Sequence, residues 1–457
     1  MAKHKLTGSG GGKFLSDNRR VDAKYLSRDP YASGKKYKPL KGLRVTLILV
    51  LILEALYCLA IFSNIPFIRT LRDIYIDTAM STMSHQWLAT AFIPKDIIDT
   101  VVSRRDQAQE EQIGHNSSWN SRPNNTTPQP PKTFVNDDGQ EVTVPDHEND
   151  DTLTEEQKAF FKVFWELDAE STLEYVDKHP EAVENGWEQL YINEAGLDDK
   201  GTSIKTIMGE QVLAIDAKSQ VLVLRVTGTS MIGTSFRGVL AVAKNPADLH
   251  LYPSKNIGSW GEKAGSIASR HDGVLAMTGS AFIDEEGGGN GGTLAGPCVC
   301  DGTYYSADHT WGYKRIELRE DNLMYLTDVT DSIGDDVTDA AEFSPALIID
   351  GKVVVDDTTI WSSMNPRACI GQSESGEILM LVIEGRLAHS LGTDVVACAD
   401  ILKRHNGYQA MNLDGGTSAI LWFDGEYITQ CSNTALDEGR YLPNAWVYAP
   451  GSGEAEG

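Results

Sequence analysis

The chain has 457 residues and a formal net charge of −25, long enough for a sizeable core and for more than one domain. The charge is uneven: residues 1–44 hold twelve Lys/Arg against three Asp, +9, so the remainder carries −34. An acidic body of this kind argues against nucleic-acid binding, which needs basic patches, and the six scattered cysteines lack the spacing of a zinc site or a disulfide framework.

In chain order, residues 1–42 are Gly/Ser/Lys-rich and aperiodic, which predicts a disordered basic tail. Residues 43–67 form a transmembrane helix in this reading, apolar from Val45 to Ile65 apart from Glu54 and a few small polar residues. The long basic leader and the lack of a small-residue cleavage site disfavour a removable signal peptide. The basic flank puts the N-terminus in the cytoplasm and everything after about residue 68 outside, a single-pass cell-membrane topology with the lipid bilayer as partner. Glu54 reads either as a helix–helix contact or as one tolerated carboxylate.

Residues 68–102 read as a juxtamembrane helical segment broken near Pro94. Its Trp87, Phe92 and Ile97 fit membrane-surface contact or core packing equally. Residues 103–151, rich in Asn, Pro, Asp and Gln, read as a linker, with sequons at Asn116 and Asn125 that matter only in a glycosylating host. Residues 152–200 read as a helical lead-in, from the spacing of Phe160, Phe161, Phe164 and Leu167. From 201 to 450, apolar runs starting at Val212, Val221, Gly238, Val274, Leu347 and Ile378 predict strands, and 395–405 an amphipathic helix. The fold class is therefore α+β: an N-terminal transmembrane helix followed by a mixed α+β domain. Residues 451–457 form an acidic tail.

One stretch is unlike a core strand: Met411-Asn412-Leu413-Asp414-Gly415-Gly416-Thr417-Ser418, followed by an apolar run. Its glycines permit positive φ and close approach of a ligand to the backbone, its amides suit an anion, and Asp414 suits acid–base chemistry. The ordinary alternative is a strand, a tight turn and a strand, with Asp414 capping the turn. Four other stretches stand out: the glycine-rich 279–297, which includes Asp284, Glu285, Glu286 and Asn290; Asn365-Pro366-Arg367-Ala368; Glu384-Gly385-Arg386 at a strand end; and Pro443-Asn444-Ala445-Trp446. Taken singly, each has an ordinary reading as loop, surface charge or turn.

Taken together, the strand pair I-G-Q…G-E-I-L-M-L-V-I-E-G-R, a helix, M-N-L-D-G-G-T-S and a closing P-N-A-W resemble the phosphodiester glycosidase family, that of N-acetylglucosamine-1-phosphodiester α-N-acetylglucosaminidase and of bacterial exopolysaccharide-related proteins. The resemblance covers roughly 237–448. It implies hydrolysis between a sugar anomeric carbon and a phosphodiester oxygen, in a cell-surface glycan or wall polymer. Carried over by position, it implies Asp414 and Glu384 as the catalytic carboxylates, with acid and base unassigned, and Arg367 and Arg386 as phosphate contacts. It further implies Asn412, Gly415, Gly416, Thr417, Ser418, Asn444, Thr278, Gly279 and Ser280 as substrate-contacting or orienting groups. The sequence departs from the family pattern at Thr278 (usually Asn), Thr417 (often Gly) and Ala368 (often Thr). A non-catalytic glycan-binding or envelope-assembly protein of the same fold is the rival reading. A divalent cation is compatible with phosphodiester chemistry, but His271, His309, His389 and His405 are scattered and no His pair has metal spacing.

Overall fold

The computed structural model describes residues 39–82, 85–119, 132–135, 141–197, 200–283, 289–308, 312–355 and 363–452. The expectations for residues 1–38, Asn125, residues 284–288, His309 and the last acidic residues lie outside these. The chain divides after Phe62 into two compact units.

The first unit holds one helix, Pro39–Phe62. Within it Gly42–Phe62 has mean hydropathy 2.7 and is long and apolar enough to cross a membrane. Its 21 residues reach about 31 Å at 1.5 Å per residue, the thickness of a bilayer's hydrocarbon core.

Among the described residues the second unit holds four antiparallel sheets, one of them only the pair Thr133–Val135 and Glu141–Thr143. The largest has nine strands in the order Lys352–Val353, Ala346–Ile349, Gly407–Asn412, Arg367–Ser373, Ile378–Ile383, Ser235–Ala243, Val221–Thr229, Val212–Asp216, Tyr191–Asn193. A five-stranded sheet runs Glu426–Tyr427, Leu421–Phe423, Leu275–Thr278, Asn444–Tyr448, Leu249–Pro253, and another runs Thr303–Tyr305, Cys298–Cys300, Val337–Phe343, Lys314–Arg319, Met324–Asp328.

Both faces of the large sheet are covered. Ile378, Met380 and Val382 point into one core, shared with Leu275, Met277, Leu421, Ile316 and Leu326 of the two five-stranded sheets. Leu379, Leu381 and Ile383 point into the other, shared with Phe160, Phe161 and Phe164 and with Val395, Cys398 and Leu402. Two buried faces explain why this strand reads as an unbroken apolar run and not as an alternation. The predicted helix is Val395–Arg404, capped by Asp394, whose carboxylate accepts from the Ala397 N–H at 2.9 Å. The six cysteines are all free, five of them buried.

Three expected boundaries differ. The lead-in does not end at 200 as a separate piece, because Tyr191–Asn193 is the edge strand of the large sheet. The expected break at Pro94 is present, but the following helix, Lys95–Glu110, runs well past 102. The linker is not free from 103 either. Gln112 imitates a backbone unit, donating to the Ala346 carbonyl at 3.1 Å and accepting the Ala346 N–H at 3.0 Å. Ser117 donates its N–H to the Leu326 carbonyl at 2.9 Å, and Trp119 stacks on Tyr408 with centroids 4.5 Å apart. Polar composition suggested a loose chain here because the polar groups that dock it onto sheet edges are the same in sequence as solvated ones.

Candidate functional site

The motif 411–418 is neither a hairpin nor a simple turn. The strand Gly407–Asn412 belongs to the nine-stranded sheet and Leu421–Phe423 to a five-stranded one, so the motif is the crossover between two sheets. Leu413 N–H donates to the Ala368 carbonyl at 2.8 Å and Gly416 N–H to the Pro366 carbonyl at 3.2 Å. The chain turns at Gly416, whose φ of +59° favours glycine. A Cβ on Gly415 would meet the Pro366 carbonyl oxygen at 2.5 Å. Gly415 is thus required by the closeness of the Pro366 backbone, and Gly416 by its backbone conformation.

Register brings the other stretches to the same end of the sheets. Arg367 opens its strand opposite Ile383, and Glu384 follows Ile383. Thr278 closes its strand opposite Ala445, next to Asn444. The predicted residues then fall into two groups.

The first group gathers charge. Arg367 is buried, donating to the Thr393 carbonyl (3.2 Å) and to the carbonyl and hydroxyl oxygens of Ser363 (2.6 and 2.8 Å). Arg386 has a left-handed backbone, φ +59°, uncommon for a residue with a Cβ and a mark of functional sites. It donates to Asn365 Oδ1 at 2.8 Å, and a Cβ placed on Gly416 would lie 3.6 Å from its Nη1. Although Arg386 as a residue is exposed, burial of the guanidinium and the charge of Arg367 hold it below its usual value, with Asp414 acting in the opposite sense. Asp414 is partly exposed at the crossover. The cluster therefore sets two guanidinium groups and a partly exposed carboxylate within electrostatic reach of one another.

Glu384 is held differently. It is 1% exposed. One oxygen accepts the Gln430 N–H at 2.7 Å; the other lies 2.6 Å from His389 Nε2 and 3.7 Å from Arg237 Nε. Its route to solvent is His389, which is 40% exposed.

The second group is interior. Asn444 accepts the Ser280 N–H (2.7 Å) and donates to Ser280 Oγ (2.9 Å), Cys298 Sγ (3.4 Å) and Cys300 Sγ (3.5 Å). Asn412 donates to the Ser344 carbonyl at 3.0 Å. The Thr417 carbonyl accepts from Cys431 Sγ at 3.6 Å. The Thr278 and Ser418 hydroxyls are buried and have no hydrogen-bond partner among the described residues. Gly279 sits against Asn444, where an added Cβ would fall 2.2 Å from Oδ1. Gly279→Ala is expected to lower stability by about 1–3 kcal/mol through this overpacking, read as a lower thermal midpoint; an unchanged midpoint would mean that Asn444 can move aside.

Sequence reasoning missed His389, Arg237, Ser363 and Asp77. Burial raises the Asp77 carboxyl above its usual range, against Arg105, Ser363 and Arg367, so the helix Pro66–Met80 reaches the arginine cluster. Met364 N–H donates to Thr78 Oγ1 and Asn365 Nδ2 to Ser81 Oγ, both at 2.9 Å. Nothing in the sequence pairs residues that far apart. His389, five positions after Glu384, carried no periodic signal.

Among the described residues no group of three or more His, Cys, Asp or Glu is placed to hold a metal. The charged neighbour that bears on Asp414 is Arg386. A cavity of about 980 Å³ lies elsewhere, lined by residues such as Asn193, Ser266, Trp422, Tyr427 and Glu438; none of the arginine cluster lines it.

Residues 271–449 match a family model described as phosphodiester glycosidase. Over 179 residues the chain is 26% identical to the SPbeta prophage-derived uncharacterized protein YomE of Bacillus subtilis, a match taking in 37% of this chain and 27% of that protein, so most of that relative's length lies outside it. Among solved structures, the chain is similar to the zebrafish N-acetylglucosamine-1-phosphodiester alpha-N-acetylglucosaminidase catalytic domain auto-inhibited by pro-peptide (TM-score 0.43, 16% identity, 50% of this chain and 82% of that one). It is also similar to a hypothetical protein from Synechocystis (TM-score 0.37, 12% identity, 53% and 65%) and to a putative exported protein from Burkholderia pseudomallei (TM-score 0.37, 14% identity, 48% and 75%).

Proposed function

From the match of residues 271–449 to the phosphodiester glycosidase family model, we propose that this protein hydrolyses a sugar-1-phosphate phosphodiester in a cell-surface glycan or wall polymer, on the outer side of a membrane that residues 42–62, and not 43–67 as the sequence suggested, span once. The observation that carries this reading is the meeting of Arg367 and Arg386 beside the solvent-open Asp414.

The chemistry follows from the leaving group. Water adds its oxygen to the anomeric carbon; the bond from that carbon to the phosphate oxygen breaks, and its electron pair leaves on a phosphomonoester. A phosphomonoester is a far weaker base than an alkoxide, so its departure calls for charge stabilisation more than for a proton. Arginine supplies this through paired N–H donors. The proton lost by water then needs one base, and Asp414 is the carboxylate with access to solvent. Glu384, sequestered behind His389, holds that half-exposed imidazole by a hydrogen bond. Gly415, Gly416, Thr417 and Ser418 line the crossover beside the phosphate.

The rival, a glycan-binding protein of the same fold, draws on the internal partners of Asn412, Asn444 and Ser280, which leave these groups committed to the fold. Reducing-sugar release by the full-length protein separates the two. The test offers UDP-N-acetylglucosamine, synthetic sugar-1-phosphate diesters and a methyl glycoside lacking phosphate. Hydrolysis of diesters but not of the methyl glycoside is expected, with Arg386→Met lowering kcat/KM by roughly 10- to 100-fold, the worth of a hydrogen bond to a charged group. Binding of these compounds without turnover would establish the rival.

A further inference from the structure

The helix Pro66–Met80 has two unlike sides. One packs inward: Asp73, Ile74, Ile76, Asp77 and Ala79 are buried. Asp73 is bridged to Arg104 at 2.6 Å and Asp77 to Arg105 at 3.0 Å, both on the helix Lys95–Glu110. The other side carries Phe67, Leu71 and Tyr75, four residues apart and so in one row, at 71%, 41% and 46% exposure. The Tyr75 hydroxyl donates to the Leu88 carbonyl at 2.9 Å, which brings the neighbouring Trp87, 57% exposed, alongside that row. Arg69, also exposed, lies between Phe67 and Leu71 in sequence.

A surface bathed only in water seldom keeps such an apolar row. Phe, Leu, Tyr and Trp with an accompanying Arg compose a helix that lies in the headgroup region of a bilayer. Chain length ties the row to that place. Residues 63–65 alone separate this helix from the apolar span ending at Phe62, and three residues reach at most about 11 Å.

We propose that the Phe67–Leu71–Tyr75–Trp87 row beds in the outer surface of the membrane, and that this holds the arginine cluster close enough to the lipid to act on a glycosyl phosphodiester carried on a lipid of the same bilayer. The inner side of the helix supplies the link. Asp77, Thr78 and Ser81 contact Ser363, Met364 and Asn365, and these residues hold Arg367 and Arg386. A helix with its side chains is about 10–12 Å across, less than the reach of one or two sugar units on a lipid head. The substrate half of the proposal rests on the hydrolase reading above; the bilayer half rests on the span alone.

The test uses the full-length protein in phosphatidylglycerol/phosphatidylethanolamine vesicles containing a lipid with a photoactivatable diazirine acyl chain. Mass spectrometry of the products is expected to find label in 42–62 and also at Phe67, Leu71, Tyr75 and Trp87, while Trp260, Tyr304 and Tyr441, exposed elsewhere on the molecule, stay unlabelled. Label confined to 42–62 would overturn the bilayer contact. The second arm is the variant Phe67→Ser, Leu71→Ser, Trp87→Ser, with all three changes at exposed positions. Its turnover of a soluble diester is expected to be unchanged, and that of a lipid-borne diester to fall about tenfold as the local concentration effect is lost. Equal turnover of both diesters would overturn the lipid-borne substrate. Absence of turnover on every diester would remove the hydrolase reading, and with it the substrate half, while the labelling still decides the membrane contact.

Discussion

Asp414→Asn is expected to lower diester turnover by the full-length protein by about 10³-fold, within the range for loss of a positioned general base, while leaving the thermal midpoint within about a degree. Both effects have local causes. Asparagine keeps the size of aspartate, and Asp414 lies partly exposed on a crossover held by backbone bonds, those of Leu413 to Ala368 and Gly416 to Pro366. Removing the charge leaves these bonds in place. It does remove the carboxylate that favours the charged form of Arg386, so the arginines become freer to hold phosphate. KM is therefore expected to stay level or fall while kcat collapses, the signature of a group acting in the transition state. Turnover unchanged in this variant would end the role given to Asp414 and move the base to the Glu384–His389 pair, the other acid–base pair at this end of the sheets.

Lys244→Met is expected to cost about 3–5 kcal/mol of stability, the usual result of removing one member of a buried ion pair. Lys244, Glu166 and Glu377 are each at most 2% exposed. Lys244 Nζ lies 2.5 Å from Glu166 and 3.9 Å from Glu377, and over the rings of Phe164 and Trp165. Glu377 is further held by Trp165 Nε1 at 3.1 Å and by the hydroxyls of Ser373 and Ser375. Burial raises the Glu166 carboxyl despite Lys244. Burial also pushes Glu377 up, but Lys244 and the three donors outweigh it and leave it below its usual range.

The two carboxylates act in opposite directions as pH changes. The depressed group, Glu377, gives stability that is present above its unfolded value and lost as pH falls through its folded value. The raised group, Glu166, gives stability that is present at low pH and lost as pH rises through its folded value. Without Lys244 both carboxylates favour the protonated form, so the deficit of the variant is expected to grow from acidic toward neutral pH. Chemical melts followed by tryptophan fluorescence at two pH values read this directly. A deficit under about 1 kcal/mol at neutral pH would mean that water or another cation reaches the cluster.

Much of the strand content was visible in the sequence, because burial on both sides makes runs such as Ile378–Ile383 unmistakably apolar. The helix over 395–404 was visible for a complementary reason, its apolar positions lying on a single stripe above the Asp394 cap. What was not visible is which strands share a sheet. The residues 411–418 have the composition of a hairpin turn, and only the pairing of Gly407–Asn412 with one sheet and Leu421–Phe423 with another makes them a crossover. Arg367, Arg386, Asp414 and Glu384 could be singled out in the sequence only through the family resemblance, because each alone reads as an ordinary strand-end charge or turn residue. Asp77 and His389 could not be singled out at all. Asp77 arrives from a helix roughly three hundred residues away, and His389 is indistinguishable from a surface histidine until Glu384 is found beside it. The Lys244 cluster was hidden for the same reason: single charges in three separate segments carry no sign that they meet.

The docking of residues 112–119 bears on what a cut in the chain would release. A protease that cuts within 120–131 breaks the chain but does not free the larger piece. The severed N-terminal piece still grips it through Gln112 on Ala346, Ser117 on Leu326, Trp119 on Tyr408, and Thr78 and Ser81 on 364–365. Separating the second unit from the apolar helix instead requires a cut at 63–65, ahead of the helix Pro66–Met80. A nick in the long polar stretch would yield a two-chain protein whose larger piece is still held to the apolar helix.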